Sequence, residues 1–192
     1  EEDDLGRANV LKSLGDLEGR LGNIAESRTF YEEVIQLFKK EESDLGRANA
    51  LKSLGDLESR LGNIARSRRR YEEAIQLFKK EKSDLGRANA LQALGDLLLK
   101  ENDFKKALRF YEEALPLYRS QQEPMGCAYT LAEIIRCQHR LKILDRLADL
   151  AKEALMQAQA SGVESVTGYV LQAFLEACDG DKDKLAAFLS GL

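Results

Sequence analysis

Cys127, Cys137, Cys178 and His139 together have the composition of a Cys3His zinc site. Their spacing argues against one. If a single helix carries Cys127 and Cys137, ten residues set them about 15 Å apart along its axis, whereas Zn–S bonds are about 2.3 Å. The two cannot hold one ion, and buried core cysteines are the expected reading. Asp179, Asp181 and Asp183 resemble the opening of a calcium loop. Lys184, however, stands where that loop needs glycine, and Ser190 where it needs its bidentate glutamate. A helix-capping turn is expected there instead. Glu32-Glu33, Glu72-Glu73 and Glu112-Glu113 are neighbours along single helices rather than carboxylates facing across a cleft. No phosphate-cradling glycine loop, H-E-x-x-H or serine-elbow motif occurs. The residues predict no catalytic centre, no cofactor and no metal.

The elements that position these side chains are helical by composition. Apolar residues make up 44% and charged residues 32%, too much of both for a disordered tail. Only two prolines occur, Pro116 and Pro124. A net charge of −4 gives no global pull toward nucleic acid or anionic membrane. No apolar run approaches the roughly 18–20 residues of a membrane span. An odd cysteine set without a disulfide framework fits a reducing compartment, so an intracellular, cytoplasmic protein is expected. The chain starts at Glu1 without Met or targeting peptide, and we expect a fragment of a longer protein.

Self-similarity decides the fold. Asp4–Ser43 aligns with Asp44–Ser83 without a gap. The two differ only at Val10/Ala50, Gly19/Ser59, Glu26/Arg66, Thr29/Arg69, Phe30/Arg70, Val34/Ala74 and Glu42/Lys82. A third copy, 84–123, keeps Asp-Leu-Gly-Arg-Ala-Asn at its start and then drifts; a fourth, 124–162, keeps mainly the apolar positions. Each copy carries two apolar stripes of helical period. In the second they are Ala50, Leu54, Leu57, Leu61 and then Ser67, Tyr71, Ala74, Ile75, Phe78. Gly62-Asn63 between them is a turn signal, and Ser83-Asp84 offers N-caps for the next unit. Each unit is therefore helix A, tight turn, helix B, and stacked neighbours bury what one pair cannot. Val163–Cys178 and Lys182–Leu189 read as further helices. Val166, Val170, Leu171, Phe174 and Leu175 would close the array as a cap over 163–192.

Leu54-Gly55, Leu61-Gly62, Tyr71 and Ala74, with Leu94-Gly95, Ala107, Tyr111 and Ala114 in the third copy, sit at the spacing of the tetratricopeptide repeat. The chain resembles that family over about residues 4–161. Its period is 40 rather than the commonest 34. The family's helix-ending proline is replaced by Lys39, Lys79 and Arg119, so helix B should run on for more than a turn. The longer unit is similar to repeats of kinesin light chain, G-protein-signalling modulator adaptors and bacterial multidomain regulators. The resemblance implies an all-α, right-handed α-solenoid of antiparallel helix pairs. It also explains Gly15, Gly55 and Gly95, which lie mid-helix at about 1 kcal/mol each against Ala, as close-approach points of helices A and B. Ile135 takes that place in the fourth copy, where the helices should pack further apart or at another angle. Pro116 should kink the third helix B.

In such a fold the A helices line a concave groove for a peptide or partner protein. The non-core face of helix A carries Asn9, Lys12, Ser13, Asp16 and Arg20, then Asn49, Lys52, Ser53, Asp56 and Arg60, then Asn89, Gln92, Ala93, Asp96 and Lys100. Stacked in register these form ladders of amide, cation, acid and cation. Amides can pair with peptide backbone, and the charges with opposite charges on a partner. Taken alone, Lys12–Asp16–Arg20 also reads as an i, i+4 ion-pair chain on a solvated face. The aspartates would repel a terminal carboxylate, which disfavours the ligand of the family's chaperone-binding members. Arg66, Arg68, Arg69 and Arg70 on the second helix B, in a copy with ten cations and six acids, form one solvated face rather than a basic stripe. Nucleic acid is disfavoured. The leading expectation is a scaffold or adaptor that binds protein. Alternatives are self-assembly through an uncapped first repeat, giving a homo-oligomer, or the regulatory repeat region of a larger signalling ATPase or enzyme.

Overall fold

The computed structural model describes residues 3–190, nearly all of them in ten α-helices, with no strand among the described residues. The helices are α1 (Asp4–Leu21), α2 (Ile24–Lys40), α3 (Asp44–Arg60), α4 (Ile64–Lys80), α5 (Asp84–Lys100), α6 (Phe104–Ser120), α7 (Pro124–Arg140), α8 (Leu147–Ser161), α9 (Glu164–Ala177) and α10 (Lys182–Ser190). They form the paired, antiparallel all-α arrangement of a repeat solenoid. Two compact units divide the chain inside α5, one ending at Leu97 and the other beginning at Leu98.

In the first unit α1 packs on α2, α2 on α3 and α3 on α4. Tyr31, Val34, Ile35 and Phe38 of α2 are buried, as are Ala50, Leu51, Leu54 and Leu57 of α3. Each large apolar side chain so buried contributes about 1.5–3 kcal/mol. Close approach depends on glycine at two places per repeat. At Gly55 a Cβ would lie 2.6 Å from the Tyr71 ring, and at Gly15 3.0 Å from Tyr31. The second place is between repeats: a Cβ at Gly46 or Gly86 would lie 2.5 Å from the ring of Phe38 or Phe78. Ser67 Oγ donates to the Gly55 carbonyl at 2.8 Å, and Ser27 Oγ to Gly15 at 2.7 Å. The small residue at this position thus satisfies a carbonyl exposed by the glycine. Ser43 stands at the N-cap of α3 without a side-chain cap bond, and Asp44 pairs with Lys80 at the far end of helix B.

In the second unit α6 packs on α7, α7 on α8, and α9 on both α7 and α8. Helix α6 continues through Pro116, which is exposed. Gly126 repeats the inter-repeat contact, against Tyr118. Ile135 of α7 and Ala151 of α8 are fully buried, standing where earlier repeats have glycine and tyrosine. Val166, Val170 and Phe174 of α9 are buried, and Leu171 and Leu175 half-buried. Asp181 Oδ1 accepts from the amides of Asp183 and Lys184 at 3.0 and 3.1 Å, a capping turn for α10. These amides hold its carboxyl below the usual range.

Candidate protein-binding face

All twelve residues expected on the groove face lie on α1, α3 and α5. In the first unit Asn9, Arg20, Asn49, Arg60, Asn89 and Asp96 are exposed, while Lys12, Asp16, Lys52, Asp56 and Gln92 are half-buried. Lys100 is exposed and falls in the second unit. The aspartates are held in place. Lys12 Nζ lies 2.9 Å from Asp16 Oδ2, and the Tyr31 hydroxyl donates to Oδ1 at 2.5 Å. Lys52 and Tyr71 hold Asp56 the same way, at 2.9 and 2.8 Å. Burial, reinforced by Asp16, pushes the Tyr31 phenol well above its ordinary range; burial and Asp56 do so for Tyr71. Both phenols therefore remain protonated donors at neutral pH. The expected carboxylate repulsion is largely offset at Asp16 and Asp56.

Asp16, Arg20, Asp56 and Arg60 come together with Tyr31 and Ser53 around a cleft of about 480 Å³. Arg60 Nη1 donates to the Gly19 carbonyl at 3.4 Å, so this side chain reaches over α1. Neither Arg20 nor Arg60 makes an ion pair among the described residues. The asparagines are less open than the ladder implied, because Asn49 Nδ2 donates to Leu45 O at 3.0 Å within its own helix. One amide proton and the carbonyl of Asn49 remain for a ligand.

The equivalent face of the second unit has other chemistry. Arg136 stands where the aspartates do, with Nε 2.9 Å from Glu176 Oε2 and a second ion pair to buried Glu133. Its guanidinium lies 4.4 Å from the centre of the Tyr169 ring, whose hydroxyl also donates to Glu133. Tyr129 meets Tyr169 edge to face at 4.8 Å. A cleft of about 490 Å³ opens beside them, lined in part by Phe104, Arg140, Leu175 and Glu176. His139 Nε2 lies 3.1 Å from Asp179 Oδ1. Sequence reasoning took the tyrosines as core residues and passed over Arg136, Tyr129 and Tyr169. The 40-residue period could have found them, since 129, 136 and 169 continue the positions of Asn9, Asp16 and Asn9 in later repeats.

Among the described residues no group of three or more His, Cys, Asp or Glu is placed to hold a metal. Cys127 and Cys137 are buried on α7, and burial pushes the thiols of Cys127 and Cys178 up, away from nucleophilic thiolate. No helix of the described residues is long and apolar enough to cross a membrane.

Known proteins share this architecture. Aspartyl phosphate phosphatase F from Bacillus subtilis superposes with a TM-score of 0.87 at 11% identity, over 100% of this chain and 51% of its own. The present chain thus spans about half the length of that protein. The apo form of RapI gives 0.81 at 13% identity, covering 96% of this chain and 68% of that one. A Podosopora anserina protein of kinesin light chain type, with nearly identical TPR-like repeats, gives 0.73 at 14%, covering 96% and 92%. At such identities the likeness is one of fold. No curated protein matches the sequence. The tetratricopeptide repeat profile matches residues 4–80 and 46–120, more than half of the chain. With the in-phase glycines, tyrosines and helix pairs described above, the chain belongs to the tetratricopeptide repeat family.

Proposed function

We propose that this chain is a protein-interaction module whose A-helix face grips a peptide or a partner protein. The observation that carries this reading is the cleft between α1 and α3. Its aspartates are fixed by lysine and tyrosine, while Arg20 and Arg60 stand at its rim without ion pairs among the described residues. Groups positioned in advance cost little order on binding, and the two guanidiniums suit an acidic or amide-rich segment. Asn9, Lys12, Asn49, Lys52, Asn89, Gln92 and Asp96 extend the same face, and Lys100 belongs to the reading by sequence register. Repeats at 4–43, 44–83, 84–123 and 124–162, closed by 163–192, are the units of this proposal. Three free cysteines suit an intracellular, reducing setting. The phosphatase name of one structural neighbour does not transfer at 11% identity.

A peptide-display selection on the full chain, followed by calorimetry of the winners, tests this. Binding should weaken at least about tenfold in Arg20→Glu/Arg60→Glu and stay unchanged in Arg66→Glu/Arg69→Glu. The reverse pattern would move the site to helix B and end the proposal.

A further inference from the structure

The cleft of the second unit has an apolar floor. Leu99 near the end of α5, Phe104 at the start of α6 and Leu175 late in α9 line it, and each is half-buried. On one side the chain turns through Asp179 and Gly180 in the left-handed region, at φ 56° and 78°. A Cβ on Gly180 would meet nothing within 4 Å, so this side stands open. The volume of about 490 Å³ falls within the range of small-molecule pockets, roughly 300–1,000 Å³.

The charges around the cleft are matched, with one exception. Glu176 accepts from Arg136 Nε at 2.9 Å and from Gln172 Nε2 at 3.1 Å, which occupies both of its oxygens. Arg136 also pairs with Glu133, and Asp179 Oδ1 lies 3.1 Å from His139 Nε2. Arg140, the last residue of α7, is exposed and makes no ion pair among the described residues. The Phe104 ring lies 5.7 Å from its guanidinium carbon, and a π face takes up none of its N–H donors. Arg140 continues the register of Arg20 and Arg60, but their cleft is lined by polar side chains and Tyr31, with no aliphatic residue. An open guanidinium beside an apolar floor is found in the second unit only, among the clefts described.

We propose that this cleft binds a small organic anion, a carboxylate on an aromatic or branched aliphatic body, gripped by Arg140 and covered by Leu99, Phe104 and Leu175. The site is separate from the α1–α3 cleft and does not rest on the peptide reading given above. A guanidinium holds a carboxylate through two parallel N–H donors. Apolar area covered on the floor adds about 25 cal/mol per Å². An amine in the same place would set a second cation against Arg140, while Glu176 and Asp179 already have partners.

The probe is 3-phenylpropionate, titrated into the full chain while methyl NMR signals of Leu99 and Leu175 are followed, with Leu54 and Leu57 of α3 as controls. Saturable shifts at Leu99 and Leu175 alone are expected, with a Kd of roughly 1 mM for so small a ligand. Arg140→Gln, at an exposed position, should keep the circular dichroism spectrum and weaken binding at least about tenfold. Arg140→Lys should restore part of that loss, because it keeps the charge without the fork. The uncharged 3-phenylpropionamide should bind the parent chain at least about tenfold more weakly. No saturation by about 10 mM, equal shifts at Leu54 and Leu57, or undiminished binding by a folded Arg140→Gln chain would overturn the proposal. So would tighter binding of 3-phenylpropylamine, since the cleft would then select a cation.

Discussion

The two units put opposite chemistry on one inherited position. Counting by forty from Asp16 leads to Asp56 and Asp96 and then, in the second unit, to Arg136. Asp16 and Asp56 are each fixed by a tyrosine hydroxyl from helix B and a lysine from their own helix. Arg136 is fixed by Glu133, Glu176 and the Tyr169 ring. One buried exchange accompanies the change. Where the first unit has Gly55 against Tyr71, α7 and α8 have Ile135 and Ala151. Bulk has moved from one helix to the other, and the tyrosine that served the aspartate has gone with it. In this chain the change of charge sign on the A-helix face and the change of helix–helix contact occur in the same repeat.

The largest effect should come from testing that exchange. Ile135→Gly and Ala151→Tyr should each cost about 3 kcal/mol in urea unfolding, the first by leaving a cavity and the second by overpacking. The double variant should recover at least half of their sum, and strict additivity would break the comparison. A smaller loss, about 1 kcal/mol, is expected for Tyr71→Phe, which keeps the ring but removes the bond to Asp56. That variant should also loosen the Asp56 side chain, read from NMR relaxation, without disturbing Arg136.

The smallest effect is a pH dependence confined to the second unit. Burial would raise the Glu176 carboxyl, but bonds from Arg136 and Gln172 prevail and hold it below the usual range. A depressed value in the folded state means that the unfolded chain binds the proton first. The stabilisation is therefore complete above the ordinary glutamate value of about 4.3 and lost as pH falls through the folded value. Protection factors of α9 amides, taken relative to the intrinsic exchange rate at each pH, should fall on that descent, and Glu176→Gln should remove the fall.

The helix pairs were legible because the repeat recurs in phase, and a 3.6-residue period over seventeen residues leaves no strand alternative. Gly15 and Gly55 were legible as close contacts through the resemblance to the tetratricopeptide repeat. Gly46 and Gly86 were not, because their partners Phe38 and Phe78 sit across a repeat boundary that the within-unit pattern does not reveal. The positions of Asp16 and Asp56 on the A helices were legible, but not the hydroxyls that fix them. Tyr31 and Tyr71 fit the apolar stripe, and periodicity does not report where the end of a buried ring emerges. Asp44 reaches Lys80 at the other end of the repeat, a pairing that only the antiparallel fold creates and that periodicity along one helix does not show.

The most direct measurement is site-specific photo-crosslinking of a selected peptide ligand to the full chain. A photoreactive residue is placed at position 53 in the α1–α3 cleft or at position 69 on the opposite helix. The account predicts crosslinking from position 53 that free ligand competes away, and none from position 69. Crosslinking from position 69 alone would contradict it and place recognition on helix B.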